Sequence, residues 1–243
     1  MVGGPAVAAL VLAAGRGERL GAGVSKAFVA LAGGTLLERS IRALAAAKGI
    51  DRIVPVVAER DRAAFERIAR SLADVAGLAP LVVGGAERQD SMRAGLASLP
   101  DAIGLVAVHD AARCLVDPGD VERVVEAARA TGAAILAAPV SDTLKRVEGD
   151  RIVETPDRAA YWAAQTPQVF RRDWLVAATE AAARAGRRAT DDAALVEAAG
   201  HVVRVVEARA PNPKITRAED LVAAQALLAA RRPRRAAAGQ DEA

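Results

Sequence analysis

The sequence predicts an α/β fold in which a doubly wound, mostly parallel sheet is covered by helices. Two observations lead to this prediction. Short apolar runs alternate with longer segments of helical periodicity along most of the chain, and such alternation is typical of right-handed βαβ units. Several of the short runs are apolar at almost every position, as expected of parallel strands that are buried on both faces.

Six segments are predicted to be strands and seven to be helices. The strands are Ala6–Ala13, Arg52–Ala58, Ala79–Gly84, Gly104–His109, Ala133–Pro139 and Val202–Glu207. The helices are Thr35–Lys48, Arg60–Ala73, Gln89–Ser98, Asp117–Thr131, Arg172–Ala185, Asp191–Ala199 and Arg217–Arg231. Ligands of a doubly wound sheet bind beyond the carboxyl ends of its strands, so the loops that follow the strands are the candidate sites.

The alternation of strands and helices stops between Pro139 and Thr166. Within this segment LKRVEGDRIVET, residues 144–155, alternates apolar and polar side chains around Glu148-Gly149-Asp150, which predicts a β-hairpin. The hairpin could belong to an arm of about residues 139–160 that projects from the domain. It could equally be an edge hairpin of the central sheet. Residues 1–230 are predicted to form one domain, and the polar residues 231–243 a disordered tail.

The composition favours a soluble cytoplasmic protein with a small anionic substrate. Apolar residues make up 52% of the chain and aromatic residues only 2%, so Ala, Val, Leu and Ile must build the core. The net charge of +3 suits an anionic small molecule and gives little support to a nucleic-acid partner. The single cysteine excludes an intrachain disulfide, and neither a signal peptide nor a membrane span is expected.

The first candidate site is AAGRGERLGAGVSK, Ala13 to Lys26, which follows the first strand. It lacks the Gly-Lys-Ser/Thr ending of a Walker A loop, and its glycine spacing does not match a dinucleotide fingerprint. Arg19 and Lys26 are seven residues apart, so both could contact one triphosphate while backbone N–H groups point at the same oxygens. A solvated basic loop is the alternative, but the glycines together with Lys26 favour a phosphate site.

The second candidate is VHDAARC, which places Asp110 at the carboxyl end of a strand and Arg113 three residues later. A carboxylate there can coordinate a Mg²⁺ ion that bridges phosphates, and the arginine can bind a second anion. A lone Asp after a strand is often only the N-cap of the next helix. The two small residues between the opposite charges favour close approach of a ligand to the backbone.

Weaker candidates lie elsewhere in the chain. Gly84-Gly85 ends a strand and Ser91 falls in the first turn of a helix, where it could contact a base edge or simply cap the helix. Further single candidates are Asp157-Arg158, Thr166, Thr190 and Lys214. His109 and His201 are the only histidines in the sequence, too few for a histidine-based metal site.

Together these motifs resemble the 2-C-methyl-D-erythritol 4-phosphate cytidylyltransferase family. The matching runs are AAGRGERL with Lys26, GGAERQDS, VAVHDAAR, PVSDTLKR, PDR, QTPQVF, TDDAALVE and NPKITRAEDL. They follow the family's order from about Val7 to Leu227. The resemblance implies a Rossmann-like nucleotidyltransferase fold that joins CTP to 2-C-methyl-D-erythritol 4-phosphate and releases pyrophosphate, in non-mevalonate isoprenoid precursor biosynthesis.

The resemblance also implies a role for each candidate residue. Basic residues grip the triphosphate and the transition state: Arg19, Lys26 and Lys214. Small residues line the nucleotide site: Ala13, Ala14, Gly15, Gly17, Gly84, Gly85 and Ser91. The sugar-alcohol phosphate faces Asp110, Arg113, Thr166 and Thr190. Asp157 and the catalytic Arg158 lie on the arm, which in the family crosses a homodimer interface to complete the partner's site.

The implied cofactor is Mg²⁺ or another divalent cation, held mainly by the CTP phosphates and with Asp110 as a candidate ligand. The nearest alternative is a cytidylyltransferase of the same fold that acts on ribitol 5-phosphate, since the residues that reach the sugar tail cannot be read from the sequence. Alternatives of other classes are a non-catalytic nucleotide-binding protein and an NADP-dependent reductase. Against the reductase alternative, this sequence has no Tyr-x-x-x-Lys pair around Tyr161.

Overall fold

A computed structural model describes residues 4–15 and 25–231 of the chain. In these ranges the strands are β1 (Ala6–Leu12), β2 (Ala30–Leu31), β3 (Gly34–Thr35), β4 (Arg52–Val57), β5 (Val82–Val83), β6 (Ile103–Asp110), β7 (Ala133–Pro139), β8 (Arg146–Glu148), β9 (Arg151–Glu154), β10 (Trp162–Arg171) and β11 (Arg204–Glu207). The α-helices are α1 (Leu36–Ala45), α2 (Arg62–Ala69), α3 (Arg88–Ala97), α4 (Pro118–Thr131), α5 (Arg172–Arg184), α6 (Asp192–Ala198) and α7 (Ala218–Arg231). The predicted tail is residues 231–243, and all of it except Arg231 lies outside the described residues.

The central sheet is mostly parallel, which confirms the predicted fold class. Its described strands are ordered β11-β7-β10-β6-β1-β4-β5. β1 pairs in parallel with both β4 and β6, and β11 pairs in parallel with β7. Because β1 and β6 are parallel neighbours, their carboxyl ends meet at one edge, and the loops that follow them are brought together.

The strand β10 was not among the predicted strands, and it runs antiparallel between β6 and β7. Its sequence WAAQTPQVFR has no alternating pattern and contains Pro167, which lacks the N–H of a regular ladder. The pairing with β7 is interrupted between Ala164 and Gln168, so the proline lies where the ladder has a break. This break turns the segment around Thr166 toward the carboxyl end of β6.

The apolar core lies on both faces of the sheet, which explains why the strands are apolar throughout. On β1 the residues Val7, Ala9 and Val11 pack in the cluster that includes α1 and α4. The alternate residues Leu10 and Leu12 pack on the other face, with residues of α3, α5 and α6. Burial on both faces leaves no position of β1 for a polar side chain.

The predicted hairpin is present as β8 and β9, joined by a tight turn in which Gly149 has a φ of +64°. This left-handed backbone conformation favours glycine. The hairpin forms a two-stranded sheet of its own, separate from the central sheet among the described residues. The hairpin is therefore not an edge hairpin of the central sheet, and the arm of about residues 139–160 stays a prediction.

Candidate active site

Two adjoining cavities lie beyond the carboxyl ends of β1 and β6. The first has a volume of about 180 Å³ and the second of about 250 Å³. Both are lined by Arg88, Asp110 and Lys214, which therefore form the wall between them. Predicted site residues that line the first cavity are Ala13, Ala14, Gly15, Lys26 and Ser91. Those that line the second are Arg113, Thr166 and Thr190.

The segment around Lys26 is anchored beside the first cavity. The Ser25 hydroxyl donates to the carboxylate of Asp61, with oxygen–oxygen distances of 2.6 and 2.7 Å, and Lys26 begins a short 3-10 helix that ends at Phe28. At the other end of the loop the Ala13 N–H donates to the Val56 carbonyl at 2.8 Å. Gly17 and Arg19, which the sequence also predicts to be at this site, lie outside the described residues.

The glycines that follow β5 allow a close approach between three backbone segments. A Cβ atom on Gly84 would lie 2.7 Å from both the Ala14 Cβ and the Ser91 Oγ. A Cβ on Gly85 would lie 2.3 Å from the Asp90 Cβ. Ser91 is buried in α3, and its hydroxyl donates to the Glu87 carbonyl at 3.1 Å. Ala14 and Ser91 line the first cavity, and Gly84 packs directly against both of them without lining it.

Asp110 is the last residue of β6, and each of its carboxylate oxygens contacts a different cation. The Arg88 Nε donates to Oδ1 at 3.1 Å, and the Lys214 Nζ lies 2.7 Å from Oδ2. Burial by itself would raise the pKa of this carboxyl, but the charges of Arg88 and Lys214 outweigh burial and hold the pKa well below its usual range. Asp110 is therefore ionised at neutral pH.

Arg88 continues this network to a second carboxylate, which the sequence analysis did not single out. Its two terminal nitrogens donate to the two carboxylate oxygens of Asp192 at 2.7 and 2.8 Å. Asp192 is the first residue of α6 and is fully buried. Both residues occur in runs that carry the family resemblance, but no local pattern pairs two residues that are 104 positions apart.

Thr166 is buried, and its hydroxyl is engaged inside the protein. Its Oγ1 accepts from the Asp110 N–H at 3.1 Å and lies 3.1 Å from the Nδ1 of His109. Burial lowers the pKa of His109 to about 4, so the ring is neutral at pH 7. Thr166 and His109 thus orient the backbone at Asp110.

Arg113 reaches the second cavity from the turn after β6. Its terminal nitrogens donate to the carbonyls of Asn212 at 2.8 Å and Ala164 at 3.2 Å. The segment that carries Lys214 is attached to the same turn, because the Ile215 N–H donates to the Ala112 carbonyl at 2.9 Å. Thr190 is exposed at the rim of this cavity.

Asp157 and Arg158 are not brought to either cavity within one chain. Both are exposed in the short turn that follows the hairpin. The Asp157 carboxylate accepts from the Ala159 N–H at 3.0 Å, and the Arg158 guanidinium donates to the Ser141 carbonyl. Their side chains face solvent beside the projecting hairpin.

The described residues do not form a metal cage. No group of three or more His, Cys, Asp or Glu side chains able to hold an ion occurs within residues 4–15 and 25–231. Asp110 would have to give up one of its two cations to ligate a metal ion.

Comparisons with known proteins identify the family of the chain. The family model described as IspD, 2-C-methyl-D-erythritol 4-phosphate cytidylyltransferase, matches residues 7–230. The chain is 43% identical to the enzyme of that name from Pelotomaculum thermopropionicum, over 96% of this chain and 98% of that one. No helix in the described ranges combines the length and apolar character that a membrane crossing requires.

Solved structures of similar proteins have the same fold. A 2-C-methyl-D-erythritol 4-phosphate cytidylyltransferase from Thermus thermophilus is 36% identical, with a TM-score of 0.74 over 91% of this chain and 98% of that one. A 4-diphosphocytidyl-2C-methyl-D-erythritol synthase from Anaerococcus prevotii is 28% identical, with a TM-score of 0.83 over 93% of this chain and 96% of that one. With the family model spanning nearly the whole chain, the protein belongs to the 2-C-methyl-D-erythritol 4-phosphate cytidylyltransferase family.

Proposed function

We propose that this protein transfers a cytidylyl group from CTP to 2-C-methyl-D-erythritol 4-phosphate. An oxygen of the substrate phosphate attacks the α-phosphorus of CTP, and the bond from that phosphorus to the oxygen bridging to the β-phosphorus breaks. The products are 4-diphosphocytidyl-2-C-methyl-D-erythritol and pyrophosphate. The observation that supports this proposal most directly is the position of Lys214 between two adjoining cavities, one for each substrate.

In this proposal the first cavity binds CTP. The residues that the family resemblance assigns to the nucleotide contact the cytidine and the phosphates: Ala13, Ala14, Gly15, Gly17, Gly84, Gly85 and Ser91. Lys26 and Lys214 line this cavity, and together with Arg19 they offset the charge of the triphosphate and of the departing pyrophosphate. Stabilising charge that develops in the transition state is the main way in which such sites accelerate phosphoryl-group chemistry.

The second cavity binds the sugar-alcohol phosphate. Arg113 supplies positive charge there, and Thr190 lies at its rim. Asp110 and Thr166 contribute to the wall that faces the substrate. A phosphate monoester carries about −1.5 to −2 charges at neutral pH, so the nucleophile needs no general base. This agrees with the neutral, fully buried state of His109.

A divalent cation, most simply Mg²⁺, would be held mainly by the phosphates of CTP, with Asp110 as the candidate protein ligand. When bound it neutralises phosphate charge and makes the α-phosphorus more electrophilic. Lys26 and Lys214 would offset the phosphate charge that the ion does not neutralise. The single cysteine fits a reducing compartment, so we expect the enzyme in the cytoplasm.

We further propose that the protein is a homodimer that uses the hairpin arm. Four large apolar side chains on and beside the arm are exposed: Val147, Ile152, Tyr161 and Trp162, at 55, 57, 45 and 40%. An exposed apolar patch of this kind is typical of a protein interface. Asp157 and Arg158 lie between the hairpin and Tyr161, where they can reach the second cavity of a partner subunit.

The direct test is pyrophosphate release from CTP and Mg²⁺ with two substrates offered separately. Turnover with 2-C-methyl-D-erythritol 4-phosphate and not with ribitol 5-phosphate is the expected result. Turnover with ribitol 5-phosphate alone would assign the protein to polyol phosphate metabolism with the same chemistry. Binding of CTP without turnover of either substrate would identify a non-catalytic nucleotide-binding protein and overturn the proposal.

A further inference from the structure

We propose that Arg88 is a positioning residue for the transfer reaction, acting on Lys214 through the carboxylate of Asp110. The inference rests on the role that the proposed function gives to Lys214. Arg88 forms ion pairs with Asp192 and Asp110, and Asp110 in turn pairs with Lys214. The four side chains form one continuous chain of alternating charges that crosses the wall between the two cavities.

The Asp192 end of this chain is rigidly held. Asp192 is fully buried at the start of α6, and its backbone N–H donates to the Gln168 Oε1 at 3.2 Å. The N–H of Ala193 donates to the same oxygen at 3.0 Å. A planar guanidinium that binds both oxygens of such a carboxylate has a defined orientation. The Nε of Arg88 is thereby aimed at Asp110.

The Asp110 end of the chain divides one negative charge between two cations. Because Arg88 contacts Oδ1, only Oδ2 remains for Lys214, at 2.7 Å. Without Arg88 the carboxylate could rotate and offer both oxygens to the ammonium group. Lys214 would then be drawn toward Asp110, and its charge would be more fully neutralised. Arg88 therefore keeps Lys214 both in place and electrostatically available to phosphate.

Lysine at position 88 would keep the charge but could not keep this geometry. Its single ammonium group cannot contact both oxygens of Asp192 and also reach Asp110. The variant Arg88→Lys therefore separates the positioning role from a simple need for positive charge in the cavity wall. A loss caused only by missing charge would be absent from this variant.

The experiment measures kcat and both KM values for Arg88→Lys, Lys214→Met and the double variant. We expect Arg88→Lys to lower kcat about 10- to 100-fold, as for other residues that orient a catalytic group, with each KM changed less than about threefold. In the Lys214→Met background the same change should lower kcat by less than about twofold, since residues that act as a unit are not additive.

Arg123→Lys is the matched control. Arg123 also pairs with a buried aspartate, Asp120, but on α4 and away from both cavities. Arg123→Lys should lower the Tm about as much as Arg88→Lys does, without lowering kcat. Should Arg88→Lys fail to fold, the pair Arg88→Gln with Asp192→Asn removes both charges of the buried pair and leaves Asp110 with Lys214 alone. We expect this pair variant to show the same loss of kcat.

Three results would overturn the inference, and they are distinguishable. An unchanged kcat in Arg88→Lys would overturn the positioning role. So would an equal loss of kcat from Arg88→Lys in the parent and in the Lys214→Met background. Both results would leave the proposed function standing. An unchanged kcat in Lys214→Met would overturn the role that the proposed function gives to that lysine, and the inference about Arg88 with it.

Discussion

Lys26, a predicted catalytic residue, illustrates how neighbours in the sequence and in space hold one residue in position. The Ser25 hydroxyl donates hydrogen bonds to the carboxylate of the buried Asp61. These bonds fix the backbone next to Lys26, whose side chain lines the first cavity. We expect Lys26→Met to lower kcat about 10²- to 10³-fold, since it removes charge stabilisation in the transition state. The KM of the sugar-alcohol phosphate should change little.

Steady-state kinetics of pyrophosphate release checks this prediction. Lys48→Met is the control, because Lys48 is exposed at the far end of α1 and lines neither cavity. An unchanged kcat in Lys26→Met would remove this lysine from the catalytic machinery.

At the scale of elements, the hairpin of β8 and β9 is the part of the chain that contact with a partner subunit would stabilise in the proposed dimer. Val147 and Ile152 are opposite each other across the two strands, and both are more than half exposed. A two-stranded hairpin is only marginally stable by itself. The exposed pair therefore favours a subunit contact.

We expect Ile152→Asp to shift the protein from dimer to monomer and to lower kcat, because it places a charge in an apolar interface. Analytical ultracentrifugation measures the first effect, and the pyrophosphate assay the second. Val222→Asp is the matched control, since Val222 is 72% exposed on α7, away from the arm. A dimer that persists in Ile152→Asp would argue against the arm as the interface.

The elements also show which local signals predict structure here. The apolar runs and the helical periodicity predicted six strands and seven helices close to their observed bounds. The strand Ala79–Gly84 is shorter than predicted, with ladder pairing only at Val82–Val83, because Pro80 within the predicted range has no N–H to donate to a ladder. The strand β10 could not be predicted, because its sequence has no alternating apolar pattern and contains Pro167.

At the scale of the whole molecule, burial of His109 links the site to the stability of the fold. Its pKa is lowered to about 4 inside the protein, whereas an unfolded chain binds a proton near about pH 6.5. The unfolded state thus binds more protons between these values. The contribution of His109 to stability is complete above about pH 6.5 and is lost as the pH falls toward about 4.

We expect the free energy of unfolding to lose about 2 kcal/mol from His109 between about pH 7 and about pH 5. Urea denaturation at both pH values measures it, and the difference from His109→Gln isolates this residue from other titrating groups. Equal slopes in the parent and in His109→Gln would contradict the prediction.

Sequence alone determined the fold class, the loops after β1 and β6, and the hairpin, because each depends on residues close together in the chain. Apolar runs report burial on two faces, and glycines with basic residues report a loop able to bind phosphate. Only the tertiary structure decided that Asp110 holds two cations and that Arg88 connects Asp110 to Asp192. These contacts join positions 22 to 104 residues apart. No local pattern encodes them, because they form only when the sheet brings the ends of its strands together.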